Sequence, residues 1–86
     1  MQKKRIAVIF GGHSAEYEVS LQSAEAVLRH IDRERFEVMS IGITKDGAWY
    51  CYMGSVEKIG DGTWVTDSDK CYPVVILQNR LVRGML

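Results

Sequence analysis

A five-residue apolar run that ends at a pair of glycines limits the possible folds of this chain more than any other feature. The run Ile6–Phe10, IAVIF, is typical of a β-strand covered on both faces, and Gly11-Gly12 follows it at once. From Ser20 onward the apolar residues recur three or four apart, which predicts an amphipathic helix ending near Asp32. The apolar stripe of that helix consists of Leu21, Ala24, Val27, Leu28 and Ile31.

A second strand is predicted at Phe36–Ile43, FEVMSIGI, which alternates at first and is then mostly apolar. A strand, a helix and a strand in close succession form a βαβ unit, whose two strands run parallel and whose crossover is right-handed. Thr44–Gly47 has the composition of a tight turn, and the aromatic stretch Ala48–Tyr52 follows it. These residues predict a β-hairpin appended to the second strand.

The remaining residues predict an irregular segment followed by a further strand. Residues Met53–Asp69 are expected to form a loop that can include one short helical turn. Cys71–Gln78, CYPVVILQ, is predicted as a strand, and Asn79-Arg80 turns the chain into the apolar LVRGML. The fold class expected from these elements is α/β, a Rossmann-like parallel βαβ core with appended β-hairpins.

The charge balance and the cysteines exclude several classes of protein. The 11 basic and 11 acidic side chains cancel, so no net field favours nucleic acid or an anionic membrane. The apolar run after the basic cluster Lys3–Arg5 is too short for a signal peptide or a membrane span, and we expect a cytoplasmic protein. Cys51 and Cys71 fit neither a C-x-x-C motif nor a zinc site, and we expect reduced structural thiols.

The glycine turn does not fit the known phosphate loops. A dinucleotide fingerprint, G-x-G-x-x-G, needs glycine where this chain has His13 and Glu16. The second strand also ends in Gly42–Thr44, without the acid that would hold a ribose, and no Walker-type P-loop is present. The turn is therefore expected to hold something other than a nucleotide phosphate.

The polar residues after the glycines lie where α/β folds place ligands, between the end of a strand and the start of a helix. Ser14 and Ser20 are both plausible helix N-caps, and the sequence does not decide between them. Glu16 and Glu18 lie between the two serines. Acids at a helix start interact favourably with the helix dipole, and on physical grounds alone this explanation is favoured for Glu18 and also for Glu16. A carboxylate beside a helix N-terminus could also bind both ends of an amino acid, which is the sharper hypothesis for Glu16.

The segment AVIFGGHSAEYEVSLQSA resembles the opening of the D-alanine–D-alanine ligase family. The family signature reads roughly G-G-x-S-x-E-x-x-V-S, and its fixed positions are all met, by Gly11, Gly12, Ser14, Glu16, Val19 and Ser20. The segments IGITKDGAWY and CYPVVILQNRLVRGML are similar to the branch of this family that is tied to vancomycin resistance, and most similar to D-alanine–D-serine ligases.

The resemblance implies an ATP-grasp mechanism that makes a peptidoglycan precursor. ATP phosphorylates the carboxylate of a first D-alanine, and the amine of a second D-amino acid attacks the acyl phosphate. The glutamate matching Glu16 is taken to hold the ammonium group of the first D-alanine, as catalytic and substrate-binding residue. Ser20 is expected to be a cap or a supporting partner and not a nucleophile, because no base lies at a suitable spacing, and His13 is expected on the loop surface.

The same resemblance implies that residues 1–86 are the N-terminal (pre-ATP-grasp) domain of a ligase about four times as long. ATP and Mg²⁺ would bind to the ATP-grasp and C-terminal domains, which are absent from this chain, so we expect no metal site here and no activity of the chain alone. The expected partners are D-alanine, a second D-amino acid (D-alanine or D-serine) and a second subunit in a homodimer. We also expect the isolated chain to self-associate through its C-terminal strand edge.

Two functions without catalysis remain open from the sequence. One is a small Rossmann-like module whose glycine turn binds a nucleotide. The other is a dimerisation domain, in which Glu16 would have no chemical role.

Overall fold

The computed structural model describes residues 3–13, 15–77 and 80–83. Within these ranges the chain forms a mixed sheet with short helices between its strands. The elements are β1 (Lys4–Gly11), α1 (Tyr17–His30), β2 (Phe36–Ile43), β3 (Trp49–Tyr52), α2 (Val56–Gly60), single-turn 3₁₀ helices at Thr63–Thr66 and Ser68–Lys70, β4 (Cys71–Leu77) and β5 (Arg80–Arg83).

The strands follow one another in the sheet in chain order, β1-β2-β3-β4-β5. β1 and β2 run parallel, with Gly11 opposite Ile43, and α1 connects them. The later pairs, β2–β3, β3–β4 and β4–β5, are antiparallel. The α/β class, the parallel βαβ core and the appended hairpins are therefore confirmed. None of the described helices is long and apolar enough to cross a membrane.

The face of α1 that packs on the sheet is made of Tyr17, Leu21, Ala24 and Leu28. The prediction was right for the last three of these residues but wrong for Val27, which is 48% exposed. Successive helical residues are rotated by about 100°, so Val27 points away from the side that Leu28 presents to the sheet. The helix also ends at His30, which leaves Ile31 as its half-buried C-cap.

The prediction that β1 is covered on both faces is wrong for the described residues. Phe10 is 2% exposed, and Val8 packs against the same core, because α1 lies over that face. Ile9, on the opposite face, is 51% exposed, and Ala7 is exposed beside it. A continuous apolar run in this sequence therefore corresponds to a strand with only one covered face among the described residues.

The segment between β3 and β4 is more ordered than the loop predicted for Met53–Asp69, since it contains α2 and the two 3₁₀ helices. Trp64, in the first 3₁₀ helix, is fully buried and meets the ring of Phe10 edge-on at a centroid distance of 5.2 Å. A side chain at Gly42 would place its Cβ 2.5 Å from the Trp64 ring, so the indole occupies the space above that glycine.

The C-terminal strands agree with the sequence prediction where the structure describes them, except that Arg80, predicted in the turn, is the first residue of β5. The predicted strand Cys71–Gln78 appears as β4, and β5 pairs with it antiparallel. Gln78, Asn79 and the end of the chain at 84–86 lie outside the described residues. Neither Cys51 nor Cys71 is part of a disulfide in the described structure, which agrees with the expected thiols.

Candidate functional site

The glycine turn is held against the end of β2. Gly11 and Gly12 have φ angles of +88° and +102°, in the left-handed region that favours glycine. The Gly12 N–H donates a hydrogen bond of 2.8 Å to the carbonyl of Ile43. A Cβ on Gly11 would lie only 2.2 Å from that carbonyl oxygen, so Gly11 also allows the close approach of β1 to β2.

The helix after the turn begins earlier than predicted. α1 starts at Tyr17, with Glu16 as its N-cap residue and no side-chain capping hydrogen bond. The prediction of Ser20 as N-cap is wrong, because Ser20 is the fourth residue of the helix and its own N–H donates to the Glu16 carbonyl at 2.9 Å. The other candidate, Ser14, lies outside the described residues.

The Ser20 hydroxyl joins the two elements on either side of the turn. The Gly11 N–H, at the end of β1, donates to Ser20 Oγ at 2.8 Å. The same oxygen donates to the carbonyl of Tyr17, in the first turn of α1, at 2.8 Å. The hydroxyl thus uses its proton and one lone pair on backbone groups, an arrangement suited to support and not to nucleophilic attack.

Tyr17 contributes to the same region but was missed in the sequence reasoning. Its side chain is 8% exposed, and Cε2 would lie 3.1 Å from a Cβ on Gly11, so the ring packs directly against the glycine turn. The ammonium of Lys45, in the turn after β2, lies 5.0 Å above the centre of the ring. The burial of Tyr17 could have been predicted from the sequence, because Tyr17 extends the apolar spacing of Leu21 and Ala24 back by one helical turn.

Both candidate carboxylates are exposed at this edge of the sheet, where β1 and β2 end. Glu16 occupies the N-cap position of α1, and Glu18 lies in its first turn. A cleft of about 440 Å³ opens between α1 and the β2–β3 turn, and it is lined by Glu18 and Lys45, among others, but not by Glu16. The two acids therefore face different surroundings although only one residue separates them.

The chemical capacity of this edge follows from its charges. The first backbone N–H groups of α1 lack partners within the helix, and the helix dipole places partial positive charge there. Glu16 adds a negative charge beside them, so a zwitterion can be bound at both ends. In the described ranges, no group of three or more His, Cys, Asp or Glu side chains could hold a metal ion.

A second cleft, of about 410 Å³, is distant from this chemistry. Its lining includes Arg5 and Glu37, near the amino ends of β1 and β2. The glycine turn, Glu16 and Ser20 do not line it. We therefore place the candidate site at the carboxyl ends of the parallel strands, where α/β sheets bind ligands.

Comparisons with known proteins identify the family of this chain. Residues 5–80 match the family model described as the D-ala D-ala ligase N-terminus. A D-alanine–D-alanine ligase of Thermoanaerobacter sp. (strain X514) is 42% identical over 86 residues, which are 100% of this chain and 23% of the relative. One from Ruminiclostridium cellulolyticum is 53% identical over 70 residues, which are 81% of this chain and 19% of the relative.

Solved structures show the same fold. The VanG D-Ala:D-Ser ligase from Enterococcus faecalis superimposes with a TM-score of 0.87 and 56% sequence identity, covering 91% of this chain and 23% of that protein. The D-alanine-D-alanine ligase from Coxiella burnetii gives a TM-score of 0.78 at 25% identity, covering 94% of this chain and 24% of that protein. The chain thus spans about a quarter of each of these structures, and it belongs to the family of D-alanine–D-alanine ligase N-terminal domains.

Proposed function

We propose that this chain is the N-terminal, substrate-binding domain of an ATP-dependent ligase that joins D-alanine to a second D-amino acid. The observation that carries the proposal is the position of Glu16, an exposed carboxylate at the N-cap of α1. The family match supports the reaction class. The 56% identity to the VanG D-Ala:D-Ser ligase supports D-serine as the second substrate, with D-alanine as the other candidate.

The role of Glu16 in this proposal is to bind the ammonium group of the first D-alanine. A charge-assisted hydrogen bond to a fixed carboxylate sets the orientation of the amino acid, so that its carboxylate faces the reacting partner. The N-terminus of α1 places positive potential near the negative charge that develops when an acyl group is attacked. This domain therefore contributes orientation and electrostatic stabilisation.

The proposal assigns ATP and Mg²⁺ to other domains of the whole enzyme. The described residues offer neither a phosphate-binding loop nor a cluster of metal ligands, so no phosphoryl-transfer step is assigned to this chain. The dipeptide product would serve cell-wall precursor synthesis in the cytoplasm. A homodimer of the whole enzyme belongs to the same proposal.

A chimera tests the function directly. In the chimera, this chain replaces the matching N-terminal part of the Enterococcus faecalis VanG ligase. The similarity covers 91% of this chain. We expect the chimera to form dipeptide from D-alanine and D-serine, and the isolated chain to release no phosphate from ATP. In the chimera, Glu16→Gln keeps the side-chain shape but removes the charge. Because a hydrogen bond to a charged group contributes about 1.5–3 kcal/mol, kcat/KM for the first D-alanine should fall about ten- to a hundredfold.

The matched control is Glu18→Gln, two residues along the same helix start. Glu18 is exposed and its charge is explained by the helix dipole, so we expect kcat/KM to change less than twofold. Equal losses in the two variants would contradict the role given to Glu16. Saturable binding of NAD or ATP to the isolated chain would instead support a nucleotide-binding module.

A further inference from the structure

The environment of Ser20 singles it out among the polar residues near the glycine turn. Its Oγ accepts a hydrogen bond from the Gly11 N–H and donates one to the Tyr17 carbonyl, both at 2.8 Å and both partly buried. These partners are the last residue of β1 and the first residue of α1. The hydroxyl therefore spans the two ends of the segment 12–16, which carries Glu16.

The direction of the Gly11 N–H explains why a side chain is needed there. The neighbouring Gly12 N–H bonds to the Ile43 carbonyl on β2. The Gly11 N–H instead donates to a side chain on α1, the Ser20 hydroxyl, at 2.8 Å. In the described part of the chain, β1 pairs with β2 alone, and the Ser20 hydroxyl supplies the acceptor for this amide.

The segment between these anchors depends on them for its position. It begins with Gly12, directly after the anchor Gly11, and glycine backbone has more accessible conformations than that of any other residue. Its ends are held by hydrogen bonds from the Gly12 N–H to Ile43 and from the Ser20 N–H to the Glu16 carbonyl, and by the two bonds of the Ser20 hydroxyl, to Gly11 and to Tyr17. Of these bonds, only the two of the hydroxyl join the strand end to the helix start, so its removal would release one from the other.

We propose that Ser20 is a positioning residue that fixes the Glu16 carboxylate for the ligand by joining Gly11 to Tyr17. The inference rests on the proposed function for its ligand, whereas the hydrogen-bonded bridge itself is independent of the reaction. Ser20 acts through Glu16 and does not touch the substrate. A substitution of Ser20 should therefore lower kcat/KM only in a protein whose Glu16 retains its charge.

The first experiment measures the bridge in the 86-residue chain, without substrate. Amide hydrogen exchange by NMR should show faster exchange of the Gly11 N–H in Ser20→Ala by roughly tenfold, the loss expected for about 1–1.5 kcal/mol of hydrogen bonding. Ser20→Thr keeps a hydroxyl with the same donor and acceptor and should restore slow exchange. Ser23→Ala, at an exposed position of the same helix, is the control and should leave Gly11 unchanged.

The second experiment is a double-mutant cycle in the chimera with the VanG ligase. Ser20→Ala alone should lower kcat/KM for the first D-alanine about tenfold, and Ser20→Thr should recover most of it. In the Glu16→Gln background, Ser20→Ala should cost less than twofold, because the carboxylate that it positions is already gone. A loss of the same size in both backgrounds would overturn the positioning role and show a general structural one.

The two experiments separate this inference from the proposed function. If Glu16→Gln has no effect on kcat/KM, the proposed function fails, whatever the exchange of the Gly11 amide shows. If Glu16→Gln lowers kcat/KM but Ser20→Ala leaves both Gly11 exchange and kcat/KM unchanged, the proposed function stands and the role of Ser20 is refuted.

Discussion

The glycine turn and the segment around Trp64 both adjoin Phe10 at the end of β1, but they are held by different forces. The turn is fixed by hydrogen bonds through Gly11, Gly12 and Ser20, and it leaves Glu16 exposed. Trp64 is fully buried and makes edge-on ring contacts with Phe10 and with Tyr52. Hydrogen bonds thus hold the backbone of the turn, while burial of the indole supplies stability.

The two regions are joined through one residue. Phe10 lies in the core against Trp64, and the next residue, Gly11, begins the turn. The packed rings therefore fix the position from which the turn starts, and the turn adds the local geometry. We expect that substitutions at Trp64 disturb both regions, whereas substitutions in the turn disturb the site first.

The largest expected effect is that of Trp64→Ala. Replacing a fully buried aromatic residue by alanine costs about 3–5 kcal/mol, which is much of the net stability of a small domain. Urea unfolding followed by far-UV circular dichroism measures the change. The neighbouring Val65 is 44% exposed, so Val65→Ala is a control expected to cost less than about 1 kcal/mol. Similar losses for the two variants would show that this segment is not the stabilising region.

Most of the sheet could be predicted from local sequence pattern. β2 has the predicted bounds Phe36–Ile43, and the hairpin to β3 follows from the turn residues and the aromatic run after them. The helices between β3 and β4 could not be predicted, because α2 has five residues and shows no helical period. They are held by Trp64, whose contacts with β1 and β3 are distant in sequence.

In the candidate site, too, some features could be predicted from the sequence and others could not. The signature segment points to Glu16 from sequence alone, and the structure places it at the helix start. The bridge from Gly11 to Ser20 spans nine positions, and the contact of Lys45 with Tyr17 joins two separate elements. Such partners depend on how α1 packs on the sheet, so a linear pattern gives the residues but not their contacts.

The second prediction compares two glycines of the turn. Gly11→Ala and Gly12→Ala both force alanine to a positive φ, which costs about 1–2 kcal/mol each. A Cβ on Gly11 also overlaps the Ile43 carbonyl at 2.2 Å, whereas a Cβ on Gly12 meets nothing within 4 Å. We therefore expect Gly11→Ala to lower the free energy of unfolding by about 2–3 kcal/mol or more, and Gly12→Ala by about 1–2 kcal/mol. Equal values in urea titrations would mean that close approach to β2 does not constrain the turn.

The smallest of the three expected effects concerns the polar link between β3 and the Trp64 segment. The Tyr52 hydroxyl donates to Asp67 Oδ2 at 2.8 Å, and removing it in Tyr52→Phe should cost about 1–2 kcal/mol at pH 7. Burial, followed by the hydrogen bond to Asp67, raises the pKa of Tyr52 above its ordinary value. Folding therefore favours the protonated phenol, and this contribution is complete below about pH 10, the ordinary pKa of tyrosine.

Above that pH the unfolded chain releases the Tyr52 proton while the folded chain retains it, so the unfolding free energy of the parent falls as the pH rises. Tyr52→Phe lacks this group, and the stability difference between parent and variant should shrink from pH 10 upward by at most about 1.4 kcal/mol per pH unit. Urea titrations of both proteins at pH 7, 9, 10 and 11 measure the difference, in which the other alkaline groups cancel. A difference that stays constant across this range would show that burial and the hydrogen bond to Asp67 do not hold the phenol of Tyr52 in its protonated form.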